Sequence, residues 1–89
     1  MKMGKVVGNM ICSRKYDGLQ GYKLLIIELS YTGQKEHIVA ADTLGAGVGQ
    51  LVLLAEGVSI REALTRPAPI DALVVGIMDN EPAILSDQE

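Results

Sequence analysis

The side chains best suited to chemistry in this sequence are one cysteine, Cys12, one histidine, His37, and three aspartates, Asp42, Asp71 and Asp79. A nucleophilic thiol needs a base beside it, and Cys12 and His37 fall in different predicted strands. That makes Cys12 a small buried hydrophobe in expectation. His37, in Gln34-Lys35-Glu36-His37-Ile38, reads as an outward strand position with no second His or Cys to complete a metal site. The aspartates sit where predicted strands end, positions at which Asp caps turns by accepting backbone N–H bonds. Two carboxylates working as acid and base must converge in a pocket, and a small barrel filled by its own side chains offers little pocket. No catalytic residue, metal or cofactor is expected.

The most unusual stretch is Asp42-Thr43-Leu44-Gly45-Ala46-Gly47-Val48-Gly49-Gln50. A dinucleotide loop needs G-x-G-x-x-G opening a helix, and a P-loop needs Gly-Lys-Ser or Gly-Lys-Thr. Here an aliphatic strand follows Gln50 instead. Alternating glycines then point to positive φ or to close approach of another chain. Arg14, Lys15 and Lys23 gather around the first loop, but single-strand binding calls for aromatic platforms in a positive groove. The chain has three tyrosines, no Trp or Phe, and a net charge of −3. Nucleic acid and anionic membrane are poor partners on that balance.

The elements that position these residues are short aliphatic runs between turn signals. Strands are predicted over Lys2 to Cys12, bending at Gly4 and Gly8, and over Gly21 to Leu29, Lys35 to Ala41, Gln50 to Glu56 and Asp71 to Asp79. Tyr31-Thr32-Gly33-Gln34 is the hairpin turn between the second and third. One short α-helix is predicted from the S-x-x-E capping box Ser59/Glu62, a staple between Val58 and Ala63, and Pro67 as its stop. Strands and helices do not alternate as in a doubly wound fold. The expected fold is all-β, a small five-stranded barrel of OB-like size and connectivity. The domain is 1–79, followed by a polar tail over 80–89.

Composition adds one constraint. Hydrophobic residues make up 48% of 89 positions, and the mean hydropathy is +0.25. That argues against disorder, and a single cysteine argues against a disulfide scaffold. A chain this short buries only about 63% of its unfolded surface. Yet Leu24-Leu25-Ile26-Ile27, Leu51-Val52-Leu53-Leu54 and Leu73-Val74-Val75 are apolar on both strand faces, where a half-wet antiparallel sheet should alternate. Six such aliphatics left in water would forgo on the order of 10 kcal/mol of burial. A neighbouring subunit is therefore expected over them, with Leu25, Ile27, Leu53 and Val75 as the contact residues. The start of the chain has no long apolar segment of signal-peptide type, which makes a cytoplasmic protein the default.

The order and spacing of several motifs carry a resemblance that runs from about Lys5 to Asp79. They are Val7-Gly8, then Leu19 and Gly21 before Lys23-Leu24-Leu25, and Asp42-x-x-Gly45-Ala46-Gly47-x-Gly49. Val52-Leu53, Gly57-x-Ser59-x-Arg61, Asp71-Ala72 and Gly76-Ile77-x-Asp79 complete the series. The chain resembles the pentameric vertex proteins of bacterial microcompartment shells, the family of the carboxysome and ethanolamine-utilisation vertex proteins. The resemblance implies an OB-like barrel assembled as a homopentameric ring that caps the five-fold corners of a shell in the bacterial cytoplasm, with no catalytic role. It implies Gly45, Ala46 and Gly47 near the five-fold axis, and hexameric shell proteins as further partners. Arg14, Lys15, Arg61 and Arg66 are the rim residues expected to touch those partners. Gln50 stands where the pattern has Glu, which removes a charge at that position. From a different class, the alternative is an OB-like binding module for single-stranded nucleic acid or peptide.

Overall fold

Five strands close into one barrel: β1 (Lys2–Met10), β2 (Lys23–Leu29), β3 (His37–Asp42), β4 (Leu51–Glu56) and β5 (Ala72–Met78). Their order around the barrel is β1-β2-β3-β5-β4, and β4 returns to β1. Every neighbouring pair is antiparallel except β3 and β5, which run parallel and meet at Ala41 and Leu73. This computed structural model describes residues 1–64 and 68–83, so Arg66, Pro67 and the end of the tail lie outside the described residues. The barrel has the strand number and connectivity expected from the sequence. Several strand ends are shorter than expected: Gly21 (φ +85°) and Tyr22 still belong to the turn, where the Tyr22 N–H donates to the Leu19 carbonyl at 3.1 Å, β1 stops at Met10, β3 begins at His37 rather than Lys35, and β4 and β5 lose single terminal residues.

β1 serves two partners by bending. Its first half pairs with β4, and from Gly4 to Met10 it pairs with β2, with a register shift between Val6 and Gly8. The two glycines of β1 differ in need. A Cβ on Gly4 would overlap Ile27 Cγ2 and stand 2.8 Å from the Glu28 carbonyl oxygen, whereas a Cβ on Gly8 would meet Ile26 at an ordinary 3.5 Å. Gly4 is therefore the residue that lets β1 and β2 approach.

The barrel interior holds Val6, Leu25, Ile27, Leu29, Val52, Leu54 and Val74, with Ala40, Ala46 and Ala72 between them. Leu25 and Ile27 are both 0% exposed in the single chain, which overturns the expectation that they face a neighbouring subunit. A continuous aliphatic run does not declare which parity points inward. The parity is fixed by Glu28, which sits outside beside Lys35 at 3.7 Å and so puts Leu24 and Ile26 outside with it.

A second, smaller cluster of Tyr22, Ala41, Ile60, Ile70 and Leu73 sits on the outer side of the barrel wall. Ile60 comes from the segment expected to be an α-helix, which is instead a 3-10 helix over Val58–Ala63. It begins after Gly57 (φ 95°), so Ser59 lies inside it rather than at its cap. Val58 is 74% exposed and Ala63 is exposed, so the expected staple does not form. The Ile60 and Leu64 N–H groups donate three residues back, to Gly57 and Arg61. Six residues with one anchoring aliphatic offer too little apolar stripe to sustain α-helical turns.

Candidate functional site

The glycine loop closes one end of the barrel. Asp42 is the last residue of β3 and is only 4% exposed. Its Oδ1 accepts the Leu44 N–H at 2.9 Å, and its Oδ2 accepts the N–H groups of Gly45 at 3.2 Å and Ala46 at 2.8 Å. From β2, Lys23 Nζ donates to the Ala46 carbonyl at 2.8 Å. Further along, the Gly47 N–H donates to Gln50 Oε1 at 2.7 Å, and the Gly49 N–H donates to the Val6 carbonyl at 2.8 Å.

Ala46 is fully buried and belongs to the barrel core. Its methyl group is a plug for the barrel, which corrects the expectation that Ala46 lies along an axis with Gly45 and Gly47. Positive φ occurs at Gly45 (92°) and Gly49 (95°), while Gly47 has no positive φ and a Cβ there would meet only Gln50 Oε1, at an ordinary 3.8 Å. Leu44 and Val48 flank the loop at 52% and 63% exposure. Gln50 serves the loop as an acceptor, a task a carboxylate would also perform.

The chemistry-bearing residues do not converge. Cys12 is a free, exposed thiol rather than the buried hydrophobe expected, because β1 ends two residues before it. His37 is exposed in β3, directly opposite Glu28 of β2. Asp71 and Asp79 are exposed at either end of β5. Among the described residues, no group of three or more His, Cys, Asp or Glu is placed to hold a metal, and no helix is long and apolar enough to cross a membrane. Arg14 and Arg61 are exposed, and Lys15 is half-buried with Nζ 3.4 Å from the Tyr22 carbonyl. At the other end of β2, the exposed Tyr31 (φ 62°) donates its hydroxyl to Glu81 Oε2 at 3.3 Å. Partial desolvation and then the Glu81 carboxylate hold its phenol above the ordinary value of 10.0.

The outer wall is where the aliphatic excess lies. Register alignment across β1, β2 and β3 gives outward rows of Met10, Leu24 and Ala41, then Gly8, Ile26 and Val39, then Lys5, Glu28 and His37. Two rows are apolar and the third is charged. Across β1, β4 and β5 a second outward surface holds Met3, Leu53 and Gly76, with Leu51 and Met78 in the next row. Val75, in the register irregularity beside them, is 37% exposed. Leu53 is half-buried and points outward. The sequence reading missed Leu24, Ile26 and Val39, although the outward parity of Glu28 would have identified the first two.

A protein-family model, described as "Ethanolamine utilisation protein EutN/carboxysome", matches residues 1–79. The bacterial microcompartment shell vertex protein EutN of Escherichia coli is 37% identical over 83 residues, covering 89% of this chain and 87% of that protein. The carboxysome shell vertex protein CcmL of Synechocystis sp. is 40% identical over 83 residues, covering 89% and 83%. Among solved structures, the GrpN pentameric microcompartment shell protein from Rhodospirillum rubrum superposes with a TM-score of 0.81 at 34% identity, covering 94% of this chain and 100% of that one. A solved ethanolamine utilization protein, EutN, also gives 0.81, at 37% identity, covering 93% and 91%. With the same barrel, the motif series and the family match over nearly its whole length, the chain belongs to the ethanolamine utilisation protein EutN/carboxysome family.

Proposed function

We propose that this chain is the structural vertex protein of a bacterial microcompartment shell, five copies closing into a ring that caps a five-fold corner. The observation that carries the reading is the pair of unlike apolar surfaces on one barrel. A single self-complementary patch makes a two-fold dimer, whereas two different patches make a ring when the rotation closes. The relatives are named shell vertex proteins, and GrpN is named pentameric. Within the ring, Leu53 and Val75 meet a neighbouring subunit, and the backbone of Gly45 and Gly47 approaches the axis. Arg61, with Arg66 beyond the described residues, lies on the rim toward hexameric shell proteins in the bacterial cytoplasm. The role is geometric rather than enzymatic: a five-membered ring set among six-membered ones imposes curvature.

The single-strand binding module has less support. Tyr22 is buried, and Tyr16 and Tyr31 sit at opposite ends of β2, so the rings share no stacking platform of the kind such binding uses. Native mass spectrometry tests the vertex reading. Five-fold multiples of the chain mass are expected at micromolar concentration, and a stable monomer there defeats the ring. Co-expression with hexameric shell proteins is expected to give closed particles, with open corners when this chain is deleted.

A further inference from the structure

Each apolar outer surface ends in a shallow groove, and the two grooves differ in sign. Next to Met10 and Leu24, the first is bordered by Lys15 and Lys23, with Arg14 exposed in the adjoining loop and, among the described residues, no carboxylate lining it. Next to Leu51 and Met78, the second is bordered by Asp79 and Glu81, both exposed, with no cation lining it among the described residues. Lys5 lies on the border shared by the surfaces, opposite Glu28 on one side and Leu51 on the other.

From this matching of apolar area with opposite charge we infer that the lysine-bordered surface of one copy docks on the carboxylate-bordered surface of the next, setting Arg14 and Lys15 against Asp79 and Glu81. The inference rests on the ring reading above and names which surfaces meet. The occupant of each surface is a second copy of this chain, because each supplies what the other needs: aliphatic side chains to bury and one sign of charge to answer. Apolar area drives such an association, while rim charges fix its register and exclude wrong pairings. Two like surfaces brought together would set Lys15 against Lys15, or Asp79 against Asp79, so the charge pattern favours head-to-tail order over a two-fold dimer.

Charge reversal tests the pairing. Three variants are compared with the wild-type chain: Arg14→Glu with Lys15→Glu, Asp79→Lys with Glu81→Lys, and all four together. Assembly is read by native mass spectrometry and sedimentation across a concentration series at low salt, and folding by circular dichroism. Each one-sided reversal is expected to raise the concentration for half-assembly at least about tenfold, and the combined variant to return within about threefold of wild type. Because Lys15 also anchors a turn through the Tyr22 carbonyl, the surface pair Arg14→Glu and Asp79→Lys gives the same reading without disturbing it. A monomeric wild-type chain defeats the ring reading itself. A wild-type ring whose one-sided reversals assemble normally, or whose folded combined variant fails to recover, overturns the pairing of surfaces alone.

Discussion

Lys23 and Asp42 are direct cross-strand partners in β2 and β3, and they grip opposite sides of the same residue. The Ala46 N–H donates to Asp42 Oδ2 and its carbonyl accepts from Lys23 Nζ, each at 2.8 Å. Both residues stand on the inward parity of their strands, but at the mouth of the barrel, where a charged group can turn to the loop instead of entering the core. The pair fastens the glycine loop and drives the Ala46 methyl into the barrel end.

Removing the carboxylate should therefore unfasten the loop. Asp42→Ala leaves three N–H groups without their acceptor and is expected to cost about 2–4 kcal/mol, with Asp42→Asn nearer 1–2 kcal/mol. Lys23→Met, which strips one bond from a partly exposed site, should cost under about 1 kcal/mol. Urea unfolding of the three variants checks this order, and equal losses for Asp42→Ala and Lys23→Met would contradict it.

Glycine substitutions separate local from assembly roles. Gly4→Ala forces β1 away from Ile27 and the Glu28 carbonyl and should destabilise by about 2 kcal/mol or more, while Gly8→Ala is accommodated. Gly45→Ala places a Cβ at φ 92° and should cost about 1–2 kcal/mol. Gly47→Ala should leave the barrel's melting temperature unchanged. If it nonetheless abolishes pentamers, the crowding at Gly47 comes from other copies.

Leu25 and Leu53 are the same residue type in neighbouring contexts with different expected failures. Leu25→Asp puts an unpaired charge in the barrel core and should prevent folding. Leu53→Asp should leave a folded chain by circular dichroism that no longer assembles. An unfolded Leu53→Asp chain would show that Leu53 belongs to the core.

Alkaline titration reads the Tyr31–Glu81 contact. A raised phenol value means that the fold favours the neutral ring: the contribution is present below the ordinary tyrosine range and is lost as pH rises through the raised value. Tyrosinate absorbance should show a Tyr31 midpoint above 10.0, moving down in Glu81→Gln. A midpoint indifferent to that substitution would separate the two groups.

Strand order, the barrel and the turn-capping role of Asp42 were all legible in the sequence because they rest on local signals: aliphatic runs, punctuating glycines, an Asp before Gly-rich backbone. Three features were not. Which of Leu25 and Leu24 points inward is not declared by four aliphatics in a row; the tie is broken only by Glu28, once it is seen to lie outside beside Lys35. The 3-10 geometry of Val58–Ala63 follows from how Ile60 docks on Tyr22 and Leu73, a tertiary choice that overrides a capping motif. Cys12 is exposed because β1 ended early, and strand ends are set by pairing partners. Arg14, Lys15 and Asp79 stood out in the sequence as charges, but that Asp79 borders an apolar surface appears only once β5 is seen to end beside Leu51.

The parallel contact between β3 and β5 is confined to Ala41 and Leu73, while every other junction is a ladder. The barrel is thus two antiparallel leaves sharing β1 as a spine and latched at one residue pair. Each leaf carries one of the outer apolar surfaces. Because the leaves are otherwise joined only along β1, that single pair holds the two apolar surfaces in their mutual orientation. Amide exchange around Ala41 and Leu73 should be the fastest in the barrel wall, and should slow most when the ring closes.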